Sequence, residues 1–316
     1  MEKITLGISA CLLGENVRYD GGHKHDRFLT DTLGEYVTYR PVCPEMECGL
    51  GVPRESMRLV GDPESPRLVT VRTRQDHTER MIRWARQRVA ELEKEKLCGF
   101  IFKSDSPSSG MERVKVYKNG GMPQKSGVGL FARIFMEHFP LIPVEEEGRL
   151  HDPLIRENFI ERVFTLKRWV ECVGAGKSRA RLVDFHIRHK LLILAHSEKH
   201  ERIMGRMVAQ GGDRSSLGGV YAQYQALLME ALRLKATPKK NANVLQHMMG
   251  YFKQQLSAAE KKELIGIIDQ FRQECLPLIV PVTLIGHYVR KYDQPYLKIQ
   301  VYLNPHPLDL QMRNHV

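Results

Sequence analysis

The chain has 316 residues, enough for two domains, and its 42% hydrophobic and 27% charged content is ordinary for a globular protein with a real core. No run approaches 18 uninterrupted apolar residues, which argues against a membrane span, and Met1–Gly7 reads as the start of a strand rather than as a basic and apolar signal peptide. The net charge of +11 is uneven: residues 1–150 carry 23 Lys/Arg against 22 Asp/Glu, and residues 151–316 carry 25 against 15, so the excess is either a C-terminal site for nucleic acid or a phosphorylated ligand, or a solvated cationic helix surface.

In chain order, Ile4–Ser9 is a short strand leading to Cys11, and Tyr36–Val42 alternates and ends at Cys43. Met81, Ile82, Trp84, Ala85, Val89 and Leu92 predict a helix over Glu79–Glu95. Cys98–Lys103 is aromatic and β-branched and reads as a buried strand. The turn-rich loop Ser104–Gly110 follows, then a helix over Gly127–Phe139. Strands alternating with helices predict an α/β N-terminal domain with a mainly parallel, doubly wound sheet, and such sheets place their chemistry at the carboxyl ends of strands. Three loops fall there: after Ser9, after Val42 and after Lys103.

Pro140–Pro153 is proline-rich and acidic, and beyond it the pattern becomes helical. Asn158–Cys172, Leu182–Val208, Ser215–Leu234, Asn241–Gly250 and Ser257–Cys275 are amphipathic, the last opened by Ser257 and Glu260 in capping-box spacing. Val280–Leu303 reads as proline-punctuated β-like pieces, Tyr296–Leu303 among them. The expected organisation is an α/β domain over residues 1–148, a helical connector over 149–180 and a basic, mostly α-helical C-terminal domain over 181–316.

Six cysteines without a signal peptide predict a reducing, cytoplasmic setting, with thiols as metal ligands, reactive groups or core residues rather than disulfides. Cys172 and Cys275 lie on apolar helix faces and read as core. Cys11, Cys43 and Cys48 lie at or near strand ends, where thiolates suit iron–sulfur or zinc, or serve as buried structural residues. Glu45 beside them is either a general acid/base or a capping carboxylate. The hydroxyls of Ser106, Ser108 and Ser109 suit a substrate oxygen or phosphate, or only a turn. Arg18, Tyr19 and Arg54 are candidates for an anionic substrate.

Six separate motifs in order, Ser9-Ala10-Cys11-Leu12-Leu13-Gly14, Val17-Arg18-Tyr19-Asp20-Gly21, Pro41-Val42-Cys43-Pro44-Glu45, Pro53-Arg54, the Lys103–Glu112 segment and Gly127-Val128-Gly129-Leu130-Phe131, resemble the thiouracil desulfidase family, domain of unknown function 523, over roughly residues 3–145. The second half, notably Asp184-Phe185-His186 with His189-Lys190 and His196-Ser197, is similar to domain of unknown function 1722, and the arrangement resembles YbgA-like two-domain proteins. The resemblance implies a [4Fe–4S] cluster held by three cysteines. Its open iron takes the sulfur of a thiopyrimidine or its nucleotide, and water replaces that sulfur without net redox change. It implies Cys11 and Cys43 as ligands, Glu45 as acid/base and Ser106 as a polar residue near the substrate. At the third ligand position, however, this chain has Ser109, a harder and poorer ligand for iron. Cys48, five residues beyond Cys43, is the expected replacement. Cys98 starts its strand and belongs at the opposite end of the sheet.

A second reading is a nucleic-acid-associated or regulatory protein whose cysteine site is structural and whose basic half makes the contact. A third is a member that has lost its chemistry with Ser109. His186, His189, His196 and His200 read as solvated helix-surface residues, with zinc as the other possibility.

Overall fold

The N-terminal strands form where β-branched and aromatic residues alternate or run together between turn residues. The computed structural model describes residues 3–118, 122–210 and 217–315, and the chain divides into two units, Met1–Ile155 and Arg156–Val316. The first holds β1 (Ile4–Ser9), β2 (Val37–Val42), β3 (Met57–Val60), β4 (Arg67–Thr70), β5 (Phe100–Phe102), β6 (Val114–Tyr117), β7 (Gln124–Gly127) and β8 (Val144–Glu146). Its helices are α1 (Pro44–Glu47), α2 (Thr78–Leu92) and α3 (Leu130–His138).

One sheet has the order β2-β1-β5-β8 and every pairing in it is parallel, with Ser9 opposite Val42 and Ile8 opposite Ile101. Phe100, Ile101 and Phe102 are all fully buried because β5 is inner to the sheet, so it reads as a continuous apolar run. Helices α2 and α3 contribute Ala85, Val89, Leu92, Phe131, Ala132 and Phe135 to the core with Phe100 and Phe102. A second sheet, β4-β3-β6-β7, is mixed, parallel only at β3–β6. It was not expected from sequence, since its strands have four residues each and β7 is mostly exposed and polar. Its Leu59, Leu68, Val114 and Val116 form a further core with Met81 of α2 and Cys48.

The loop after β5 is seated on the start of α3. The carbonyl of Pro107 accepts from the Leu130 N–H at 3.2 Å, and that of Ser108 accepts from Phe131 and Ala132 at 2.9 and 3.1 Å, so the loop satisfies donors that a helix N-terminus leaves open. The approach requires glycine at 129, where a Cβ would stand 2.5 Å from the Ser108 carbonyl. Gly129→Ala is expected to cost about 1–3 kcal/mol by overpacking. A urea midpoint unchanged from the parent would show that the loop does not depend on this approach.

The helical unit contains most of α4 (Pro153–Gly174), then α5 (Arg179–His196), α6 (Glu198–Gln210), α7 (Leu217–Arg233), α8 (Pro238–Met249), α9 (Ala258–Arg272), α10 (Ile279–Lys291) and α11 (Pro295–Lys298). The expected helix over Leu182–Val208 breaks at Ser197, and the expected start at Ser215 lies outside the described residues. Ser257 and Glu260 do form the reciprocal capping box of α9. The β-like reading of Val280–Leu303 is corrected to helix: Pro281 falls in the first turn of α10, where its missing N–H removes no intrahelical bond, and Val282, Ile285 and Val289 share the buried face. Cys275 is exposed beyond the end of α9 and Cys172 is half-buried, so neither is a core residue.

The four histidines are buried rather than solvated. His186 bonds Tyr224 at 3.1 Å, His189 the Phe185 carbonyl at 2.8 Å, His196 the Glu161 carboxylate at 3.1 Å and His200 the Ser197 hydroxyl at 2.8 Å. Each is bonded to a different partner, the Nε2 of His186 alone being buried without one, and among the described residues no three metal-ligating side chains that include any of them converge. Arg313 bonds Glu161 at 2.9 Å and tightens the same core. No described helix is long and apolar enough to cross a membrane.

Candidate active site

The loops after β1, β2 and β5 converge at the carboxyl end of the parallel sheet around a cavity of about 500 Å³, the size of a small-molecule site. Cys11 and Cys43 line it with Glu45, Lys103, Ser106 and Ser109, and Arg18, Tyr19 and Arg54 complete the wall. The Lys103 N–H donates to Ser9 Oγ at 2.9 Å and ties the third loop to the first, while Lys103 Nζ is held by Glu147 at 2.6 Å.

Cys11 lies in a short 3₁₀ turn directly after β1, closed by Gly14 in the left-handed conformation. Cys43 is extended because it precedes Pro44. Its N–H donates to Glu47 Oε1 at 2.8 Å, and Glu47 is itself held by Arg88 at 2.9 Å. Burial pushes the Cys11 thiol up to about 11. Burial and then the neighbouring Glu45 carboxylate push Cys43 up to about 12. As free thiols both remain protonated at neutral pH, so a metal bound there displaces a proton from each.

Glu45 is held at both carboxylate oxygens. Its Oε1 accepts from the Ser108 hydroxyl at 2.5 Å; Oε2 lies 3.7 Å from the Cys43 sulfur and 3.7 Å from Arg54 Nη2. Arg54 Nη1 donates to the carbonyls of Val17 at 3.0 Å and Gly51 at 2.9 Å, so this arginine clamps two loops and faces Glu45. Sequence reasoning offered Arg54 to an anionic substrate; it lines the cavity, and its clamp on the two loops was not foreseen.

Ser106 faces the cavity, and its oxygen lies 3.0 Å from that of Ser108. Ser108 itself is fully buried behind the wall, between Ser106 and Glu45. Expected as a substrate contact, it instead links the two polar groups of the site. No spacing rule marks such a residue, because its place depends on a loop folding back onto a distant strand end. Arg18 and Tyr19 stand together at the mouth, the guanidinium 5.6 Å from the ring centre, with Tyr19 45% exposed.

Cys48 is not brought to the cavity. Its thiol donates to the Glu45 carbonyl at 3.4 Å, and the residue is part of the core against Leu59, Leu68 and Met81. Cys48 closes the turn of α1, its N–H bonding the Pro44 carbonyl at 3.0 Å, and its side chain packs into that core. Cys98 donates its N–H to the Thr5 carbonyl and lies toward the amino end of the sheet, as its position before β5 predicts.

A parallel α/β unit with a cysteine-lined cavity at its strand ends, followed by a helical unit, defines the class. The sequence model of 2-thiouracil desulfurase matches residues 6–147, and that of a protein of unknown function, DUF1722, matches residues 190–307. The chain is 33% identical over 153 residues to the uncharacterized protein YbgA of Escherichia coli (strain K12), an alignment covering 48% of this chain and 90% of that protein. Among solved structures it is similar to the [4Fe-4S]-dependent thiouracil desulfidase TudS, at 31% identity and a TM-score of 0.38, over 48% of this chain and 95% of that one. The chain belongs to the same family as YbgA, and it carries a 2-thiouracil desulfurase domain at residues 6–147 and a DUF1722 domain at residues 190–307.

The donor set fits an iron–sulfur group in kind. Two soft sulfurs from separate loops and one hydroxyl, Ser109, share a cavity with room for more than a single ion. It offers two thiols where three are expected from the family resemblance.

Proposed function

We propose that the protein removes sulfur from a thiolated pyrimidine, thiouracil or a thiouridine nucleotide, and replaces it with oxygen from water at a [4Fe–4S] cluster in the N-terminal cavity. The observation that carries this reading is the sharing of one cavity by Cys11, Cys43 and Ser109, with Glu45 3.7 Å from the Cys43 sulfur. The 2-thiouracil desulfurase match over residues 6–147 supports it.

Cys11 and Cys43 would hold the cluster through Sγ, and Ser109 would supply an oxygen donor at the position of the missing cysteine. When bound, the cluster supplies a thiophilic iron with an open coordination position. The chain supplies the remainder. Glu45 takes a proton from the attacking water and returns it to the departing sulfur. Ser108 and Arg54 fix its two oxygens, so that the carboxylate meets the reacting centre without a search over rotamers. Ser106 offers a hydroxyl to the pyrimidine, and Arg18 and Tyr19 meet its ring or a phosphate at the mouth. Atoms balance as C=S plus water giving C=O plus hydrogen sulfide, with no electron gained or lost.

The test is turnover of 4-thiouracil by the full chain kept anaerobic throughout purification. Uracil and sulfide are expected in equal amounts. Intact 4-thiouracil in a preparation that retains its iron would refute the activity.

A further inference from the structure

The helical unit contains a second cavity, of about 550 Å³, walled by α4, α5 and the segment around Ile299 and Val301. Arg168 of α4 and His189 of α5 form its inner part, and Arg181 and Arg188 stand exposed at its rim. It belongs to a different unit from the cysteine site, and nothing in the desulfuration reading uses it.

Arg168 carries the argument. Nε donates to His189 Nε2 at 3.3 Å, and Nη2 donates to the Pro305 carbonyl at 2.8 Å and toward Thr165 Oγ1 at 3.4 Å. All three acceptors are neutral. Burial, and then the charge of Arg168, push His189 down to about 3, so its ring is uncharged at neutral pH: Nδ1 donates to the Phe185 carbonyl and Nε2 accepts. Burial also draws Arg168 down to about 10, which still leaves it charged. Among the described residues no carboxylate lies within 4 Å of its guanidinium. Glu161 is engaged by Arg313 and His196, and Glu171 by Lys167 at 3.3 Å. Arg181, in the first turn of α5, has no carboxylate within that distance either, whereas Arg188 is paired with Asp184 at 2.8 Å. A largely buried cation without a counter-ion is costly, and an anion entering the cavity removes that cost.

We infer that this cavity is an oxyanion site that takes the phosphate of a small phosphorylated molecule, shared by Arg168 from within and Arg181 from the rim. Both donors are arginines: with Nε and Nη2 of Arg168 committed to His189, Pro305 and Thr165, its Nη1 is left to meet an anion, while Arg181 offers its forked N–H groups where a lysine would offer a point charge. The amino end of the 18-residue helix α5 adds a favourable field at the same place. The volume suits a small ligand. Glu171 and Asp184 also line the opening and repel a long polyanion, which favours a small phosphate ester over nucleic acid. The reading gives the Asp184-Phe185-His186 and His189 segment a use: His189 orients the buried arginine, and Asp184 holds Arg188 aside.

The test is calorimetric titration of the full chain with ribose 5-phosphate and, as control, ribose. The phosphate ester is expected to bind saturably at one site and ribose not at all. Arg181→Ala should weaken binding about tenfold or more, the worth of a charge-assisted bond, while Arg206→Ala, an exposed arginine of α6, leaves it unchanged. Arg168→Met should abolish binding. If that variant does not fold, the exposed Arg181 decides alone. Equal affinity in the Arg181 and Arg206 variants, no binding at millimolar ligand, or capture of single-stranded RNA in place of ribose 5-phosphate would each overturn the assignment.

Discussion

Anaerobically purified Cys43→Ser protein is expected to be folded and free of iron. Cys43 supplies one of only two thiols in the cavity, and a serine oxygen is a harder donor that binds iron–sulfur clusters poorly. With Ser109 already in the set, the substitution leaves one sulfur against two oxygens, too few soft ligands to retain a cluster. The fold should tolerate the change. Serine is close in size, and the Cys43 N–H bond to Glu47 is a backbone donation that the substitution keeps. Iron content and far-ultraviolet circular dichroism together decide the matter: parent-level iron in a folded Cys43→Ser protein removes it from the ligand set. The converse variant, Ser109→Cys, adds the third thiol and is expected to slow the loss of iron in air. Faster loss than in the parent would show that Ser109 does not face the cluster.

Glu45→Gln is expected to keep its iron and lose about 10²–10⁴-fold in turnover, the usual contribution of a positioned general acid/base. Glutamine preserves the length of the side chain and can accept the Ser108 hydroxyl bond through its amide oxygen. It cannot take a proton from water. It also leaves Arg54 facing a neutral amide, but that guanidinium still has the Val17 and Gly51 carbonyls, so the loop clamp survives. Loss in kcat at similar iron content is the signature of proton transfer. Undiminished turnover would move that function to another group of the cavity.

The strand ends, and with them the place of the site, were legible because a buried parallel strand is a short apolar run bounded by turn residues. Cys11, Cys43 and Ser106 could be placed at one edge from that pattern alone. The fate of Cys48 was not legible. It lies five residues from Cys43, but α1 directs its thiol into the second core, and that core belongs to a sheet whose four-residue strands carry little periodic signal. Ser108 was misjudged for a related reason: it acts through Glu45, 63 residues away in the chain. In the helical unit, α10 was masked by its proline and β-branched residues, which tertiary burial accommodates in a helix. The histidines were read as solvated because their polarity was weighed without the bonds that bury them.

On the proposed function, the cavity would assemble an iron–sulfur cluster from two thiols and a serine. Chemical quantification of iron and acid-labile sulfide on the anaerobically purified full chain tests it most directly. Equal amounts of the two, about four of each per chain, with the broad visible absorption of a cubane, are the predicted result. A colourless protein carrying zinc, or carrying no metal after reconstitution with iron and sulfide, would contradict it.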